Sequence, residues 1–123
     1  MILADTSVWI WHFRGKEPDL TRLLDAGQVL MHPLVIGELA CGNLPGRGEV
    51  LQALQKLPTA PRATDVEALN FIERHRLMGQ GINYSDVQIL ASVVLAADTQ
   101  LWTFDARLAA AAARLSVWYD PTL

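Results

Sequence analysis

The sequence is poor in cysteine and has no long apolar run. Its one cysteine, Cys41, cannot form a disulfide within the chain, so a reducing location in the cytoplasm is expected. The longest apolar run, Ile89 to Ala97, contains a serine. A transmembrane helix needs about 20 apolar residues. The sequence therefore predicts neither a disulfide framework nor a membrane-spanning segment.

Positive charge is also scarce. The 123 residues include 10 basic and 13 acidic side chains, which gives a formal net charge of -3. This balance argues against binding nucleic acid through bulk positive charge, but it leaves open a nuclease that concentrates carboxylates around a metal ion. With 51% hydrophobic and 19% charged residues, a single globular domain over residues 1–123 is expected.

Short apolar runs alternate with helical patterns along the chain. The predicted strands are Ile2 to Ala4, Val29 to Met31, Leu101 to Phe104 and Ser116 to Trp118, with a very short extended piece between Pro58 and Pro61. Helical patterns fill the intervals, and they include Val50 to Leu57 after a flexible break at 46–48 and the nearly all-apolar segment Ser85 to Ala97. This alternation predicts a parallel sheet with helices on both faces and a functional crevice at the carboxyl ends of the strands.

Glu38 is an acid whose sequence neighbours do not suit a solvated charge. At helical spacing its neighbours are Leu34, Val35, Cys41 and Gly42, so an ideal helix places Glu38 on the apolar stripe. A buried carboxylate needs a cation, hydrogen-bond donors or a proton. A salt bridge to an arginine, or a boundary position pointing outward, explains the same pattern without chemistry.

Three aspartates stand at the starts of predicted helices. Asp5 and Asp105 follow predicted strands, and Asp86 opens the most apolar helix. N-capping, which contributes about 1 kcal/mol, explains each of them singly. Carboxylates that converge with Glu38 at one edge of the sheet would instead repel unless a cation lay among them, and oxygen ligands suit Mg²⁺ or Mn²⁺ better than Zn²⁺. Spacing alone leaves both interpretations open.

Four short motifs occur in order along the chain. They are Asp5-Thr6-Ser7-Val8-Trp9-Ile10, Gly37-Glu38-Leu39-Ala40-Cys41-Gly42, Ser85-Asp86-Val87-Gln88-Ile89-Leu90-Ala91 and Leu101-Trp102-Thr103-Phe104-Asp105. With these motifs nearly the whole chain resembles PIN-domain ribonucleases, and among them the VapC-type toxins of bacterial or archaeal toxin-antitoxin pairs. The resemblance implies a three-layer α/β/α fold with a short central parallel sheet and the activity of a Mg²⁺-dependent endoribonuclease.

The resemblance also implies roles for individual residues. Asp5 and Asp86 would hold Mg²⁺, with Mn²⁺ as a substitute, while Glu38 and Asp105 would complete an acidic quartet that hydrolyses phosphodiester bonds of RNA. Thr6 or Ser7 would hydrogen-bond the Asp5 carboxylate and orient it, and Thr103 would be a further residue that supports the metal ligands.

The sequence departs from many relatives directly after the last motif. Those relatives carry a further acidic or aromatic residue where this chain has Ala106-Arg107-Leu108. The difference argues against a second stable metal site.

The partners implied by the resemblance are a cognate antitoxin protein, an RNA substrate such as tRNA, rRNA or mRNA, and a second copy of the chain in a homodimer. No membrane partner is implied. Single-stranded DNA is an alternative substrate for the same metal chemistry.

Other side chains carry simpler expectations. Trp9 and Trp11 are two residues apart on a helix, so one is expected to pack inward and the other to face a partner or solvent. Trp102 and Trp118 are expected in the core. A surface or boundary position is expected for His12, His32 and His75, and a buried one for Cys41. The basic residues that are candidates to line an RNA path are Arg14, Lys16, Arg74, Arg76 and Arg107.

Two other classes of protein fit part of the pattern. A catalytically inactive PIN-like interaction module would share the fold, although all four acids are present here. A phosphoacceptor receiver domain has similar length and an acidic Mg²⁺ pocket, but it needs a lysine near the end of the sheet. Lys16 and Lys56 are the chain's two lysines and neither follows a late strand, so the receiver class is the weaker alternative.

Overall fold

The fold is built on a short parallel sheet. A computed structural model describes residues 1–16 and 18–122. In it, β1 (Ile2–Ala4) lies between β2 (Val29–Leu30) and β3 (Gln100–Trp102), and both pairings are parallel. Leu3 is paired with Leu30 on one side and with Leu101 on the other. Asp5, which follows β1, therefore lies at the carboxyl edge of the central strand.

Seven helices connect and cover the strands of the described chain. They are α1 (Thr6–Phe13), α2 (Pro18–Asp25), α3 (Pro33–Ala40), α4 (Arg47–Gln55), α5 (Asp65–His75), α6 (Tyr84–Leu95) and α7 (Ala106–Arg114). Parallel strands require crossover connections, and these helices provide them. The predicted α/β fold with a parallel sheet is confirmed.

Single bridges extend the sheet at both sides. Met31 pairs with Thr59, in the extended piece predicted between the two prolines, and Leu101 pairs with Trp118. The predicted fourth strand at 116–118 is thus reduced to one bridge. Trp118 lies outside the edge strand and is 37% exposed, so the prediction of a core position for it was wrong.

The core lies on both faces of β1 and around α6. Residues 87–93 of α6 are all buried, as its nearly all-apolar sequence predicted. Trp9 and Trp102 are almost fully buried, whereas Trp11 is 39% exposed, which confirms the expectation of one inward and one outward tryptophan. Within the described chain, the helices are too short to cross a membrane, since the longest has 12 residues.

The segment at 46–48 is more ordered than its glycines suggested. Gly46 adopts a left-handed conformation with φ of 63°, and α4 starts directly after it at Arg47. The Arg47 guanidinium donates hydrogen bonds to the carbonyl oxygens of Ala40 (2.6 Å) and Gly42 (3.0 Å). The Ala40 carbonyl belongs to the last turn of α3 and has no partner within that helix, and Gly42 lies just beyond its end. Arg47 therefore fixes the turn that was predicted to be a flexible break.

His32 is fully buried, so the expected surface or boundary position was wrong for this histidine. It is the N-cap of α3, and its Nδ1 accepts a hydrogen bond from the backbone N–H of Leu34 at 3.0 Å. Its Nε2 lies 3.0 Å from the Ser92 hydroxyl on α6. Burial, together with the charge of Arg62, lowers the pKa of His32 from 6.5 to about 4. A neutral imidazole thus links α3 to α6.

We expect acid to weaken the fold through His32. Between pH 6.5 and about pH 4 the unfolded chain binds a proton at this imidazole that the folded chain does not bind. The free energy of unfolding should therefore fall as the pH is lowered through this window, by at most about 1.4 kcal/mol per pH unit. Urea unfolding of wild type and His32→Asn, which keeps an N-cap acceptor, measures the difference. Equal pH dependence in the two proteins would contradict it.

Candidate active site

Asp5 is the most buried acid at the carboxyl edge of the sheet. Its Oδ1 accepts hydrogen bonds from the backbone N–H groups of Ser7 (3.0 Å) and Val8 (3.3 Å) and from the Ser7 hydroxyl (2.5 Å). Its Oδ2 accepts one from the Thr103 hydroxyl. Burial raises the pKa of Asp5, and these hydrogen bonds oppose the rise. The carboxylate is therefore held in one orientation at the start of α1.

Thr103 and Ser7 connect Asp5 to the turn between β3 and α7. Thr103 Oγ1 accepts a hydrogen bond from the backbone N–H of Asp105 at 3.0 Å, in addition to donating to Asp5. Ser7 Oγ accepts one from the backbone N–H of Phe104 at 3.0 Å. The two hydroxyl groups thus tie the first motif to the last motif, which is 98 residues further along the chain.

Asp105 caps α7 with one of its two carboxylate oxygens. Oδ1 accepts hydrogen bonds from the backbone N–H groups of Arg107 (2.9 Å) and Leu108 (3.0 Å). This is the N-cap role considered in the sequence analysis. The side chain is exposed at the same edge of the sheet as Asp5.

Asp86 belongs to a capping box with Asn83 at the start of α6. The backbone N–H of Asp86 donates to Asn83 Oδ1 (2.8 Å), and the backbone N–H of Asn83 donates to Asp86 Oδ2 (3.1 Å). Asn83 was missed at the sequence level, although its spacing of three residues from Asp86 is the signal of such a box. Burial raises the pKa of Asp86 most, and the negative charges of Asp105 and Asp5 raise it further.

Helix capping uses only some of the carboxylate oxygens of Asp5, Asp86 and Asp105. Within residues 1–16 and 18–122, Asp86 Oδ1 and Asp105 Oδ2 accept no hydrogen bond, while their other oxygens cap α6 and α7. Asp5 Oδ2 has one donor, Thr103, which leaves room for a second partner. The capping interpretation and the metal-binding interpretation are therefore compatible, because they use different oxygens.

Glu38 differs from its sequence-based description. It is exposed, not buried, because the inward face of α3 is centred on Val35 and Leu39. The helix ends at Ala40, so Cys41 does not continue an apolar stripe; it is also exposed, and its predicted burial was wrong. Glu38 Oε1 accepts a hydrogen bond of 3.1 Å from the Thr6 hydroxyl. Since Thr6 follows Asp5, this contact ties Glu38 to the first motif.

The donor atoms at this edge are carboxylate and hydroxyl oxygens. As they are arranged in the described part of the chain, no three His, Cys, Asp or Glu side chains form a ready set of metal ligands. The chemistry of the set still fits a hard cation. The negative charges of Asp5 and Asp105 repel that of Asp86. A cation bound between like charges offsets this repulsion.

Comparison with known proteins adds to this geometry. Residues 2–114 match the PIN domain. The chain belongs to the PIN domain family. It is 44% identical over 117 residues to Ribonuclease VapC32 of Mycobacterium tuberculosis, in strain CDC 1551 / Oshkosh and equally in strain ATCC 25618 / H37Rv, and the match covers 95% of this chain and 94% of each relative. The resemblance to VapC-type PIN domains inferred from the four motifs is confirmed.

One basic side chain of the PIN domain is packed beside the start of α6. Gly81 has a φ of 78°, and a Cβ added to it would lie 2.6 Å from Cδ and from Nη1 of Arg107. Arg107 thus lies directly over Gly81, two residues before the Asn83 cap. The absence of a side chain at Gly81 is what allows this approach.

We expect Gly81→Ala to destabilise this PIN domain more than Gly79→Ala does. Both glycines have left-handed backbone conformations, but a Cβ at Gly79 meets no atom within 4 Å. Each substitution should cost about 1 kcal/mol of unfolding free energy for the backbone. Gly81→Ala should cost up to about 1 kcal/mol more for displacing Arg107. Urea unfolding measures both values.

The excess cost of Gly81→Ala should disappear when Arg107→Ala is present in both proteins, since the displaced side chain is then gone. Equal costs for Gly79→Ala and Gly81→Ala in the wild-type background would contradict the packing described here.

Proposed function

We propose that the chain is a Mg²⁺-dependent endoribonuclease that acts as the toxin of a toxin-antitoxin pair. The observation that carries the proposal is the group formed by Asp5, Asp86 and Asp105. The negative charges of these residues interact, and they have carboxylate oxygens that do not cap a helix and can bind a cation. The relatives that are named as ribonucleases support the choice of RNA. Mn²⁺ is proposed as a substitute for Mg²⁺.

Asp5 and Asp86 are proposed to hold the metal ion, with Asp105 and Glu38 beside them. When bound, Mg²⁺ would supply Lewis-acid stabilisation of charge on the scissile phosphate. Asp5 needs little reorganisation for this role, because four hydrogen bonds already fix its carboxylate. Glu38, held at Oε1 by Thr6, has Oε2 with which to orient the water that attacks phosphorus.

Hydroxyl groups are proposed to set the geometry of the acids. Thr103 and Ser7 fix the position of Asp5 relative to the β3–α7 turn, and Thr6 positions Glu38. Partners of this kind keep ligands oriented and strengthen metal binding. Ser7 and Thr103 thus contact Asp5, whereas Thr6, which was also expected to orient Asp5, contacts Glu38 instead.

A cognate antitoxin protein and a homodimer are proposed on the basis of the relatives alone. Sedimentation equilibrium of the purified chain, alone and with the protein encoded beside it, measures both. A monomer at all concentrations would contradict the homodimer, and no co-sedimentation would contradict that antitoxin.

The experiment that tests the activity is cleavage of total RNA by protein freed from any bound partner. Wild type should give discrete fragments with Mg²⁺ and none with EDTA. Asp98→Asn is a matched control, since Asp98 is exposed in the turn between α6 and β3 and its substitution removes the same charge. This variant should cleave like wild type, and Asp86→Asn should not cleave.

Two outcomes would overturn the proposal. A folded wild-type protein that cleaves no RNA with Mg²⁺ or Mn²⁺ would favour a catalytically inactive interaction module. Cleavage of single-stranded DNA but not of RNA would keep the chemistry and replace the substrate.

A further inference from the structure

Two exposed aromatic rings lie beside the proposed active site. Trp11 on α1 is 39% exposed and Phe104 in the β3–α7 turn is 46% exposed, although aromatic side chains of this size are usually more buried. Their ring centroids are 6.2 Å apart with an interplanar angle of 70°. With Ile10, Ser7 and Arg14 they line an open groove of about 490 Å³. We call this surface the aromatic groove.

The aromatic groove is continuous with the carboxylate group. Phe104 lies between Thr103 and Asp105 in the sequence, and its backbone N–H donates to Ser7 Oγ. The same Ser7 hydroxyl donates to Asp5 Oδ1 at 2.5 Å. A ligand that reaches the carboxylates from this side would therefore pass over Phe104.

Each ring contacts a neighbouring side chain that helps to position it. The Phe104 ring packs edge-on against the fully buried Trp102, with centroids 6.0 Å apart. The ammonium group of Lys16 lies 5.1 Å from the centroid of the Trp11 ring. Rings that are already positioned lose little side-chain entropy when they bind a flat partner.

Charge favours a polyanion as the occupant of the groove. Arg14 lines it and Lys16 lies over Trp11, in a chain whose net charge is -3. Exposed aromatic rings flanked by cations are the arrangement that binds single-stranded nucleic acid, because bases stack on the rings and the backbone phosphates meet the cations. Bases inside a duplex are already stacked and cannot do this.

We propose that Trp11 and Phe104 stack unpaired bases of the RNA next to the phosphate that is cleaved, with Arg14 and Lys16 contacting the neighbouring backbone. The inference rests on the proposed ribonuclease function. It adds which side chains contact the bases beside the scissile phosphate, and it gives the aromatic groove that role.

The test measures binding and cleavage of single-stranded oligoribonucleotides by Trp11→Leu and Phe104→Leu. Binding is followed in EDTA by fluorescence anisotropy of a labelled strand, so that it does not depend on turnover. Each substitution should weaken binding about 10- to 100-fold, which is the loss typical of one base–aromatic stack. Trp11→Phe, which keeps a stacking ring, should restore most of the affinity.

Trp118→Leu is the matched control, because Trp118 is a similarly exposed tryptophan that does not line the groove. It should bind and cleave like wild type. Wild-type protein should also prefer the single strand to the same strand in a duplex, and Trp11→Leu should lose this preference.

The outcomes separate the inference from the function on which it rests. If wild type cleaves RNA and the Trp11→Leu and Phe104→Leu variants bind and cleave equally well, the inference is overturned. If wild type neither binds nor cleaves RNA, the proposed function itself fails. Cleavage by wild type together with weaker binding confined to the groove variants supports both.

Discussion

Asp86→Asn should cleave RNA more than about 100-fold more slowly than wild type and yet unfold at a higher temperature in EDTA. The slower cleavage follows because one ligand of the proposed Mg²⁺ site is lost, and metal ions contribute several kcal/mol to charge stabilisation in such reactions. The cap should survive, since an asparagine oxygen can still accept the hydrogen bond from the Asn83 N–H. The two effects should therefore have opposite signs in one variant.

The gain in stability follows from the raised pKa of Asp86. A carboxyl whose pKa is raised by folding binds its proton more tightly in the folded chain than in the unfolded chain. Its contribution to the free energy of unfolding falls as the pH rises from 3.8 through the raised pKa, and the loss is complete above the raised pKa. Asparagine cannot ionise, so Asp86→Asn does not lose this free energy of unfolding as the pH rises.

Thermal unfolding at pH 7 measures the stability of the metal-free protein in EDTA and its stabilisation by Mg²⁺. Mg²⁺ should raise the melting temperature of wild type and of Asp98→Asn, because a ligand that binds the folded state stabilises it. The melting temperature of Asp86→Asn should rise little when Mg²⁺ is added. A variant that melts below wild type in EDTA, or that gains as much from Mg²⁺, would contradict the account.

Thr103→Val should lower both stability and cleavage. The substitution keeps the shape of the buried side chain but removes the hydroxyl that donates to Asp5 Oδ2 and accepts from the Asp105 N–H. Leaving buried partners unpaired costs about 1–3 kcal/mol of unfolding free energy. Cleavage should fall about 10- to 100-fold, the usual effect of losing a group that orients a metal ligand.

Thr103→Ser is the matched control, because it keeps the hydroxyl and loses only a methyl group. Urea unfolding and initial cleavage rates should place it close to wild type. If Thr103→Val cleaved as fast as wild type at a temperature where it is fully folded, the hydroxyl would have no part in positioning the acids.

The sequence was most informative where strand ends determine position. Asp5 and Asp105 directly follow short apolar runs, and parallel pairing of β1 with β3 brings the ends of those runs to one edge. The order of apolar runs and helical patterns was enough to predict this.

The sequence was least informative where a helix ends or where a polar group is paired through space. The wheel placed Glu38 on a stripe with Cys41 and Gly42, but α3 ends at Ala40, so Cys41 is exposed. The inward face of α3 is centred on Val35 and Leu39, so Glu38 is exposed as well. His32 is polar in sequence, yet Ser92, 60 residues away, satisfies its imidazole in the core. A single helical wheel contains neither the end of the helix nor the distant partner.

The most direct test of the central claim is calorimetric titration of Mn²⁺ into the RNA-free protein. The claim is that the acids at the carboxyl edge of the sheet together bind a divalent cation. Wild type and Asp98→Asn should bind Mn²⁺ with the same affinity, and Asp86→Asn should bind it at least about 10-fold more weakly. Binding to Asp86→Asn with wild-type affinity would contradict the claim.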